Sequence, residues 1–250
     1  MKNKNCKSYE LDSRNPNIPL NKTAGRFYFE KFINNFNESK EIINMYKNLF
    51  GKNLGKLNHN GKKKIFKNFV CIINLETNSY CNRTCHYCPL ATFKRKENHN
   101  IDNEIFLKIL SELESIDYNS TICLNLYNEP LSDKDLFERI SMIKKRLPKC
   151  FLRFNSNGDF IDISTLQKLE SSGLDSLNIT LHTTKINSYN DIWAKKVLGK
   201  FYSKLGLQTP QYTINPNQSI TSSIYFGKCN MLVNTTNWDL YGNDRGGGNT

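Results

Sequence analysis

Residues 69–89 read FVCIINLETNSYCNRTCHYCP, a short apolar run followed by a loop that carries three cysteines. The apolar part has the length of one buried β-strand. Cys81, Cys85 and Cys88 then follow with the spacing Cys-x3-Cys-x2-Cys. Because the loop between them is short, we expect the three thiols to point to one side and to bind one metal centre.

Beyond this loop, apolar runs of strand length alternate with helical patterns as far as residue 181. Ser164 at the start and Gly173 at the end are expected to cap the last of the predicted helices. Alternating strands and helices imply right-handed crossovers and a parallel sheet, open or curved into a barrel, so the predicted fold class is α/β. The predicted strands are 69–75, 121–127, 151–155 and 174–181, and the predicted helices are 103–115, 132–146 and 163–172.

The two ends of the chain differ from this alternating core. Apolar residues recur at helical spacing over 24–36 and 42–50, and a stretch rich in Gly and Lys over 51–64 predicts a solvated linker. After residue 182 the weaker pattern predicts a helix over 191–205 and a fifth strand over 211–215. The predicted domains are a helical N-terminal extension over 1–65, an α/β core over 66–215 and a C-terminal segment over 216–250.

The composition is that of a globular protein with a basic surface. The net charge is +12, and 38% of the residues are hydrophobic, which is enough apolar content for a core. No apolar run reaches the roughly 18 residues that a membrane span needs, and residues 1–20 contain no apolar signal-peptide segment. We therefore expect a cytoplasmic protein with no membrane partner. In a reducing compartment, clustered cysteines indicate metal binding rather than disulfides.

Three cysteine ligands leave one coordination position of a metal centre open. In a cubane iron–sulfur cluster, that position makes one iron available to a substrate or cofactor. A zinc site would need a fourth ligand, for which His86, Cys71 and Cys123 are candidates, and inert thiols are a third interpretation. Structural zinc prefers two separate pairs of ligands, and no second Cys-x-x-Cys or His-x-x-His pair occurs. The sequence therefore favours the cluster.

The cysteine spacing, with the aromatic Tyr87 just before the third cysteine, resembles the signature of radical S-adenosylmethionine (radical SAM) enzymes. The resemblance covers residues 69–183 and implies a partial (β/α)6 barrel that is similar to a TIM barrel. It also implies that Cys81, Cys85 and Cys88 bind a [4Fe–4S] cluster, whose open iron chelates S-adenosylmethionine. In that family, one electron cleaves the cofactor, and the resulting 5′-deoxyadenosyl radical abstracts a hydrogen from the substrate.

The resemblance assigns further cofactor contacts to the ends of the predicted strands. Residues 127–131, YNEPL, resemble a Gly-Gly-Glu-Pro segment that holds the methionyl ammonium. Residues 154–158, FNSNG, resemble a Thr-Asn-Gly turn, and residues 178–182, NITLH, resemble a strand whose hydroxyl residue meets the ribose. Ordinary turns are the alternative interpretation of the first two segments. The implied cofactor-binding residues are Tyr87 beside the adenine, Asn128, Glu129, Ser156, Asn157 and Thr180.

His182 is the candidate catalytic residue. Strand alternation places Asn178, Thr180 and His182 on the same side of the fourth predicted strand, where they could face the barrel interior. In that position His182 could act as a general acid or base. A hydrogen-bonded structural histidine is an equally consistent interpretation.

The C-terminal segment resembles the start of an auxiliary-cluster domain, known as SPASM or, when shortened, twitch. Residues 224–229 and 238–244 carry this likeness, but Gly242 stands where a further cysteine is expected. Cys229 alone cannot hold a cluster. We therefore expect a truncated auxiliary segment and one cluster per chain. The cysteines expected to lie outside that cluster are Cys6, Cys71, Cys123, Cys150 and Cys229.

The sequence thus predicts a radical SAM oxidoreductase or maturase that modifies a peptide or a small biosynthetic intermediate. Its expected partners are that peptide or small-molecule substrate and a reducing electron donor such as flavodoxin or ferredoxin. One alternative is a zinc-stabilised nucleic-acid-binding module, but the scattered lysines form no defined basic and aromatic face, which argues against nucleic acid. The other alternative is a catalytically impaired, truncated homologue.

Overall fold

The computed structural model describes residues 11–12, 15–19, 58–92, 95, 97–183 and 185–241. The chain divides into two compact units, Met1–Ile72 and Ile73–Thr250. The described part of the first unit contains an antiparallel pair of short strands and a helix. These elements are β1 (Leu11–Asp12), β2 (Asn15–Pro19) and α1 (His59–Phe69).

Helix α1 corrects the prediction of a solvated linker over 51–64, because residues 59–64 are helical. The side chain of Asn58 accepts a hydrogen bond from the Gly61 amide at 2.8 Å and so caps the first turn. The lysine run lies inside this helix instead of in a loop. Residues 51–57 and the helices predicted over 24–36 and 42–50 lie outside the described residues.

The second unit is built around a seven-stranded sheet with the strand order β3-β4-β5-β6-β9-β8-β7. Strands β4, β5, β6 and β9 are parallel to one another, whereas β8 is antiparallel to β9 and to β7. The strands are β3 (Ile72–Asn74), β4 (Thr121–Cys123), β5 (Phe151–Ser156), β6 (Ser176–Leu181), β7 (Tyr212–Asn215), β8 (Ser219–Phe226) and β9 (Cys229–Thr236). The predicted α/β class with a parallel sheet is confirmed, and in the described residues the sheet is open.

Helices connect the parallel strands, as the alternating pattern predicts. They are α2 (Pro89–Thr92), α3 (Asn103–Glu114), α4 (Leu136–Arg146), α5 (Ile163–Ser172), α6 (Asp191–Lys204) and α7 (Trp238–Tyr241). The predicted N-cap of α5 is wrong, because the Asp162 carboxylate, and not Ser164, accepts from the Thr165 amide at 2.7 Å. Gly173 ends this helix with a φ of 95°, as expected. None of the described helices has both the length and the apolar character of a membrane-spanning segment.

Side-chain hydrogen bonds explain why two predicted elements are shorter than expected. Strand β4 ends at Cys123 and not at residue 127, because the side chain of Asn128 accepts from the Leu126 amide at 3.2 Å. The helix predicted over 132–146 begins at Leu136, because Pro130–Ser132 forms a separate 3₁₀ turn. Asparagine and proline compete here with regular backbone pairing.

The fifth strand predicted over 211–215 exists as β7, but it lies at the outer edge of the sheet. Strand β9 occupies the place beside β6. The links from β7 to β8 and from β8 to β9 are short, and short links join antiparallel strands only. Strands on both sides of the predicted boundary at residue 215 thus share one sheet. The division into a core and a separate C-terminal segment stays a prediction.

Side chains alternate between two different faces along β5, β6 and β9. On one face, Leu152, Phe154, Leu177, Ile179, Met231 and Val233 are fully buried. Helix α6 packs against this face, and the Tyr202 hydroxyl lies 2.9 Å from the Ser222 hydroxyl of β8. The opposite side, which we call the polar face, carries two apolar residues, Phe151 and Leu232, and otherwise the polar residues Arg153, Asn155, Ser176, Asn178, Thr180, Asn230, Asn234 and Thr236.

Gly158, in the loop after β5, makes a close approach that fixes this loop against the core. It has a φ of +80°, and a Cβ atom there would lie 2.9 Å from Ile179 and 3.4 Å from Phe201. Gly206 has a similar φ of +68°, but a Cβ atom there would meet nothing within 4 Å. A comparison of alanine substitutions at Gly158 and Gly206 therefore separates the cost of backbone strain from the cost of steric overlap.

We expect Gly206→Ala to lower the free energy of unfolding by about 1–2 kcal/mol, the cost of a left-handed conformation for a residue with a Cβ atom. Gly158→Ala should lower it by about 1–3 kcal/mol more, because the added methyl group overpacks the core. Urea denaturation of both variants and the parent chain measures the difference. Equal losses in the two variants would show that the loop can shift without resistance.

Candidate functional site

The three cysteines of the signature lie on the loop between β3 and α2. Cys81, Cys85 and Cys88 are half-buried, and none forms a disulfide. The Cys88 amide donates to the Cys85 carbonyl at 2.9 Å, and the Ala91 amide donates to the Cys88 carbonyl at 2.8 Å. The loop therefore turns directly into α2, with all three thiols on one short connection.

The three thiols lie on one short loop. Among the described residues, no group of three or more His, Cys, Asp or Glu side chains is arranged to hold one metal ion. In a cubane, each thiolate binds a different iron, so the three sulfur atoms need not converge on a single point. Burial raises the pKa of the Cys81 and Cys85 thiols. Metal binding must therefore displace these protons.

Two of the candidate fourth ligands for zinc are engaged elsewhere. The Cys123 thiol is buried and donates to the side-chain oxygen of Asn125 at 3.2 Å. The Nε2 atom of His86 lies 3.1 Å from a carboxylate oxygen of Asp239. The zinc interpretation stays an alternative prediction.

The cysteine loop is tied to the end of β5 by the carboxylate of Asp159. Arg83 donates two hydrogen bonds to it, at 2.7 and 2.5 Å, and Asn82 donates a third at 2.7 Å. The hydrogen bonds from Arg83 and Asn82 hold the pKa of Asp159 below its ordinary value, against the opposing effect of burial. Sequence reasoning missed this contact, because residues between the cysteines carry no spacing signal and Asp159 is 76 positions away from Arg83.

Glu129 forms a second anchor at the same end of the sheet. Its side chain is 2% exposed and accepts hydrogen bonds from the Asn157 amide at 2.8 Å, the Ser156 hydroxyl at 2.9 Å and the Leu131 amide at 3.2 Å. Burial is the largest effect on its pKa and raises it. Among the described residues, no Lys or Arg forms an ion pair with this carboxylate, so a cationic ligand would satisfy it.

Asn157 connects these two anchors. Its backbone amide donates to Glu129, and its side-chain amide donates to the side-chain oxygen of Asn82 at 2.7 Å. The structure therefore brings together the cysteine loop and the predicted residues Glu129, Ser156 and Asn157. The cofactor contacts of Glu129, Ser156 and Asn157 stay predictions. The three residues form one hydrogen-bonded group.

The side chain of Asn128 serves the protein itself. It donates to Asn78 at 2.9 Å and accepts from the Leu126 amide, and Asn78 in turn donates to the Ser132 hydroxyl at 2.9 Å. These bonds hold the loop after β4 against the loop after β3. The predicted contact of Asn128 with the cofactor stays a prediction.

Tyr87 and His182 are in direct contact. The Tyr87 hydroxyl is hydrogen-bonded to Nδ1 of His182, and the Tyr87 ring stacks on Trp238 of α7 with centroids 4.6 Å apart. Burial, and after it the positive charge of Arg83, lowers the pKa of His182 to about 3. The imidazole is therefore neutral at pH 7. A pKa of about 3 does not fit a cationic acid at pH 7, and it makes the imidazole a weak base, because a general base works best with a pKa near the operating pH. The catalytic role of His182 stays a prediction.

Thr180 lies on the polar face of β6, one strand from Asn155 of β5. No residue in the described part of the chain forms a hydrogen bond with its hydroxyl group. The contact of this hydroxyl with a ribose stays a prediction. The sequence prediction that Asn178 and Thr180 share one side of the strand agrees with the alternation of the structure.

We predict that Asp159→Asn speeds the loss of iron from the reconstituted protein to a chelator by about tenfold. Hydrogen bonds to charged groups contribute about 1.5–3 kcal/mol each, and the variant weakens those that Arg83 makes. The matched control is Asp117→Asn, which removes an exposed ion pair with Lys149 on another surface. Iron release should match the parent chain in the control, and equal rates in all three proteins would contradict the anchoring role.

Comparison with known proteins adds to this geometry. A sequence model described as the Radical SAM superfamily matches residues 75–200, half of the chain. The S-adenosyl-L-methionine-dependent 2-deoxy-scyllo-inosamine dehydrogenase of Niallia circulans is 32% identical over 122 residues, which is 49% of each protein. A probable GTP 3′,8-cyclase of Methanococcus aeolicus is 32% identical over 118 residues, 45% of this chain and 37% of the relative.

The crystal structure of BtrN in complex with AdoMet and 2-DOIA is similar over 54% of both chains, with 30% sequence identity and a TM-score of 0.45. The chain spans about half the length, or less, of the curated relatives that it matches. The matched region begins at Leu75, ends within α6, and includes the cysteine loop, Glu129 and the end of β5.

Proposed function

We propose that this chain, which belongs to the radical SAM superfamily, binds a [4Fe–4S] cluster through Cys81, Cys85 and Cys88 and uses it with S-adenosylmethionine. The superfamily uses this cluster and this cofactor. One observation carries the proposal for these particular residues. Asn157 joins the loop of three free cysteines to a buried carboxylate, Glu129, that has no cationic partner among the described residues.

The residues around the loop have distinct roles in this proposal. When bound, the cluster supplies the electron for reductive cleavage of S-adenosylmethionine, which starts hydrogen abstraction from the substrate. Glu129 accepts from the methionyl ammonium, Tyr87 lies beside the adenine, and the Thr180 hydroxyl binds the ribose. Arg83 and Asp159 keep the loop in place against the end of β5.

The position of this group agrees with the physical logic of the fold. Parallel strands end at one edge of a sheet, and ligands of such folds bind there. Ser156 and Asn157 lie at the end of β5, and Glu129 follows β4. A ligand at this edge would therefore meet groups from several strands at once.

The reaction that we propose is an oxidation or a maturation step on a small biosynthetic intermediate or a peptide. The relatives act on chemically different substrates: one is named as a dehydrogenase of 2-deoxy-scyllo-inosamine and the other as a probable GTP cyclase. A reducing electron donor such as flavodoxin or ferredoxin would supply the electron in a cytoplasmic setting. His182, which is hydrogen-bonded to Tyr87, stays the candidate catalytic residue of this proposal.

We predict that Cys81→Ala, Cys85→Ala and Cys88→Ala each abolish the visible absorption of the reconstituted protein and lower its iron from about four per chain to nearly none. Cys150→Ala and Cys229→Ala are matched controls, because both thiols are buried away from the loop. Both controls should retain about four irons, measured by iron and sulfide analysis after anaerobic reconstitution. Survival of the iron in Cys85→Ala, or about eight irons in the parent chain, would refute the assignment.

We predict that Glu129→Gln keeps the cluster but weakens S-adenosylmethionine binding by about tenfold or more, because a hydrogen bond to a charged group contributes about 1.5–3 kcal/mol. 5′-Methylthioadenosine has no amino-acid moiety, so its affinity should be unchanged in the same variant. Titration calorimetry on the cluster-loaded protein measures both ligands.

The control variant for this experiment is Glu114→Gln, which loses a half-exposed ion pair with Arg146 on α4. It should bind both ligands as the parent chain does. If Glu129→Gln weakens both ligands equally, Glu129 supports the loop and does not bind the ammonium group.

A further inference from the structure

The segment after β9, residues 237–241, lies against the cysteine loop, although the family model matches only residues 75–200. One oxygen of the Asp239 carboxylate accepts from the Asn187 amide at 2.8 Å, and the other lies 3.1 Å from Nε2 of His86. The side chain of Asn237 donates to the turn between β7 and β8 at 3.0 Å. These contacts hold α7 in a defined position beside the three thiols.

Trp238 of α7 adds its ring to an aromatic group at this loop. The ring stacks on that of Tyr87, with 4.6 Å between the centroids and 20° between the planes. The Tyr87 ring also contacts the rings of His86 and His182, at centroid distances of 5.1 and 5.5 Å. We call His86, Tyr87, His182 and Trp238 the aromatic group. It joins the cysteine loop, the end of β6 and α7.

The indole N–H of Trp238 is buried without a hydrogen-bond partner. Its Nε1 atom is almost inaccessible to solvent, and nothing in the described part of the chain accepts from it. An indole nitrogen can only donate, and a buried donor that stays unsatisfied costs about 1–3 kcal/mol. Phenylalanine at this position would stack on Tyr87 without that cost. The N–H therefore indicates a ligand that brings an acceptor to the aromatic group.

The surroundings of this N–H select the class of acceptor. Aromatic side chains bind flat rings through stacking and edge contacts. An anionic acceptor would need a cation as well, and Arg83 of the cysteine loop already donates two hydrogen bonds to Asp159. A purine meets both conditions, because it has a flat apolar body and unprotonated ring nitrogens at its edge. S-adenosylmethionine, the cofactor of the proposed function, carries one purine ring, adenine.

We infer that Trp238 is a further cofactor-binding residue and that its indole N–H donates to a ring nitrogen of the adenine of S-adenosylmethionine. The inference rests on the proposed function, which supplies the cofactor. It gives α7 a role at the cysteine loop, although residues 238–244 resemble the start of an auxiliary-cluster domain. The nucleoside is then bound by a residue that lies outside the matched region of the family.

The first test is Trp238→Phe, which keeps an aromatic ring for the stack on Tyr87 but has no N–H. Titration calorimetry on the cluster-loaded protein should show that S-adenosylmethionine and 5′-methylthioadenosine both bind about fivefold more weakly, the effect of one lost hydrogen bond of about 1 kcal/mol. This pattern differs from that expected of Glu129→Gln, which weakens S-adenosylmethionine alone.

The matched control is Trp193→Phe, at the other tryptophan of the chain. The ring of Trp193 contacts that of Tyr189 on α6, with 5.6 Å between the centroids, and is not part of the aromatic group. The control should bind both ligands as the parent chain does. Equal affinities of the parent chain and Trp238→Phe for 5′-methylthioadenosine would overturn the inference.

Changes in the ligand test the same hydrogen bond through a double-substitution cycle. The 1-deaza, 3-deaza and 7-deaza analogues of 5′-methylthioadenosine each replace one ring nitrogen by a C–H group. At least one analogue should bind the parent chain about fivefold more weakly than 5′-methylthioadenosine does, and this loss should disappear in Trp238→Phe. If every analogue loses the same factor in both proteins, Trp238 does not donate to the ring.

Two other acceptors predict different patterns, and either pattern would overturn the inference. If Trp238→Phe weakens S-adenosylmethionine alone, the acceptor belongs to the methionyl part of the cofactor. If both affinities are unchanged but the midpoint potential of the cluster shifts, the acceptor is a sulfur atom of the cluster.

Iron content, measured on the same preparations, separates this inference from the proposed function. Full iron content and normal S-adenosylmethionine binding, with no effect of Trp238→Phe, defeat the role of Trp238 alone. A chain without iron whose 5′-methylthioadenosine binding falls about fivefold in Trp238→Phe would keep the adenine contact and defeat the cluster assignment. A parent chain that binds no nucleoside overturns the inference whatever its iron content.

Discussion

The attachment of the cysteine loop to the end of β5 is the contact on which the site depends. A short loop with three thiols has no regular backbone pairing of its own, so its shape must be imposed from outside. Asp159 imposes this shape by accepting three hydrogen bonds from Asn82 and Arg83. The side chain of Asn157 donates a fourth hydrogen bond to Asn82. The Arg83 guanidinium makes two hydrogen bonds to the Asp159 carboxylate. Two such bonds resist rotation as well as separation, so they fix both the orientation of the loop and its distance from β5.

A second, fully buried network holds the preceding part of the same loop. The Arg139 guanidinium donates to the Thr77 carbonyl at 3.0 Å and to the Asp133 carboxylate at 2.8 Å, and both charged side chains are almost inaccessible to solvent. The ring of Phe106 lies 5.5 Å from the guanidinium carbon. Removing one partner of such a pair leaves a buried charge without a partner, and this costs more free energy than formation of the pair contributes. The network therefore gives the loop after β3 one defined path over α4.

The two faces of the sheet differ in how their side chains are satisfied. One face is apolar and covered by α6, and it supplies the hydrophobic free energy of the fold. The polar face contributes little hydrophobic free energy. Its side-chain amides form hydrogen bonds with one another instead. Such an arrangement keeps directional groups in place without charges, next to the buried carboxyl group of Glu129.

Sequence periodicity was sufficient for the elements whose apolar spacing is regular. It located α5 at residues 163–172 without error, placed β5 and β6 within two residues at either end, and identified the α/β class. The cysteine spacing pointed to the loop that we propose as the cluster site, because a chelating motif is local in the chain. Asn58 and Asp162 show the limit of this reasoning, since a cap depends on which of several adjacent polar residues reaches the free amides.

The tertiary structure alone decided the contacts between segments that lie far apart in the chain. The pairing of Arg83 with Asp159, the stacking of Tyr87 on Trp238 and the placement of β9 beside β6 have no local signal. Hydrogen bonds between the side chains of Asn155, Asn178 and Asn234 likewise join β5, β6 and β9. The physical reason is that chain periodicity reports which side of an element is buried, whereas the partner across the interface is chosen by the packing and register of the complete sheet.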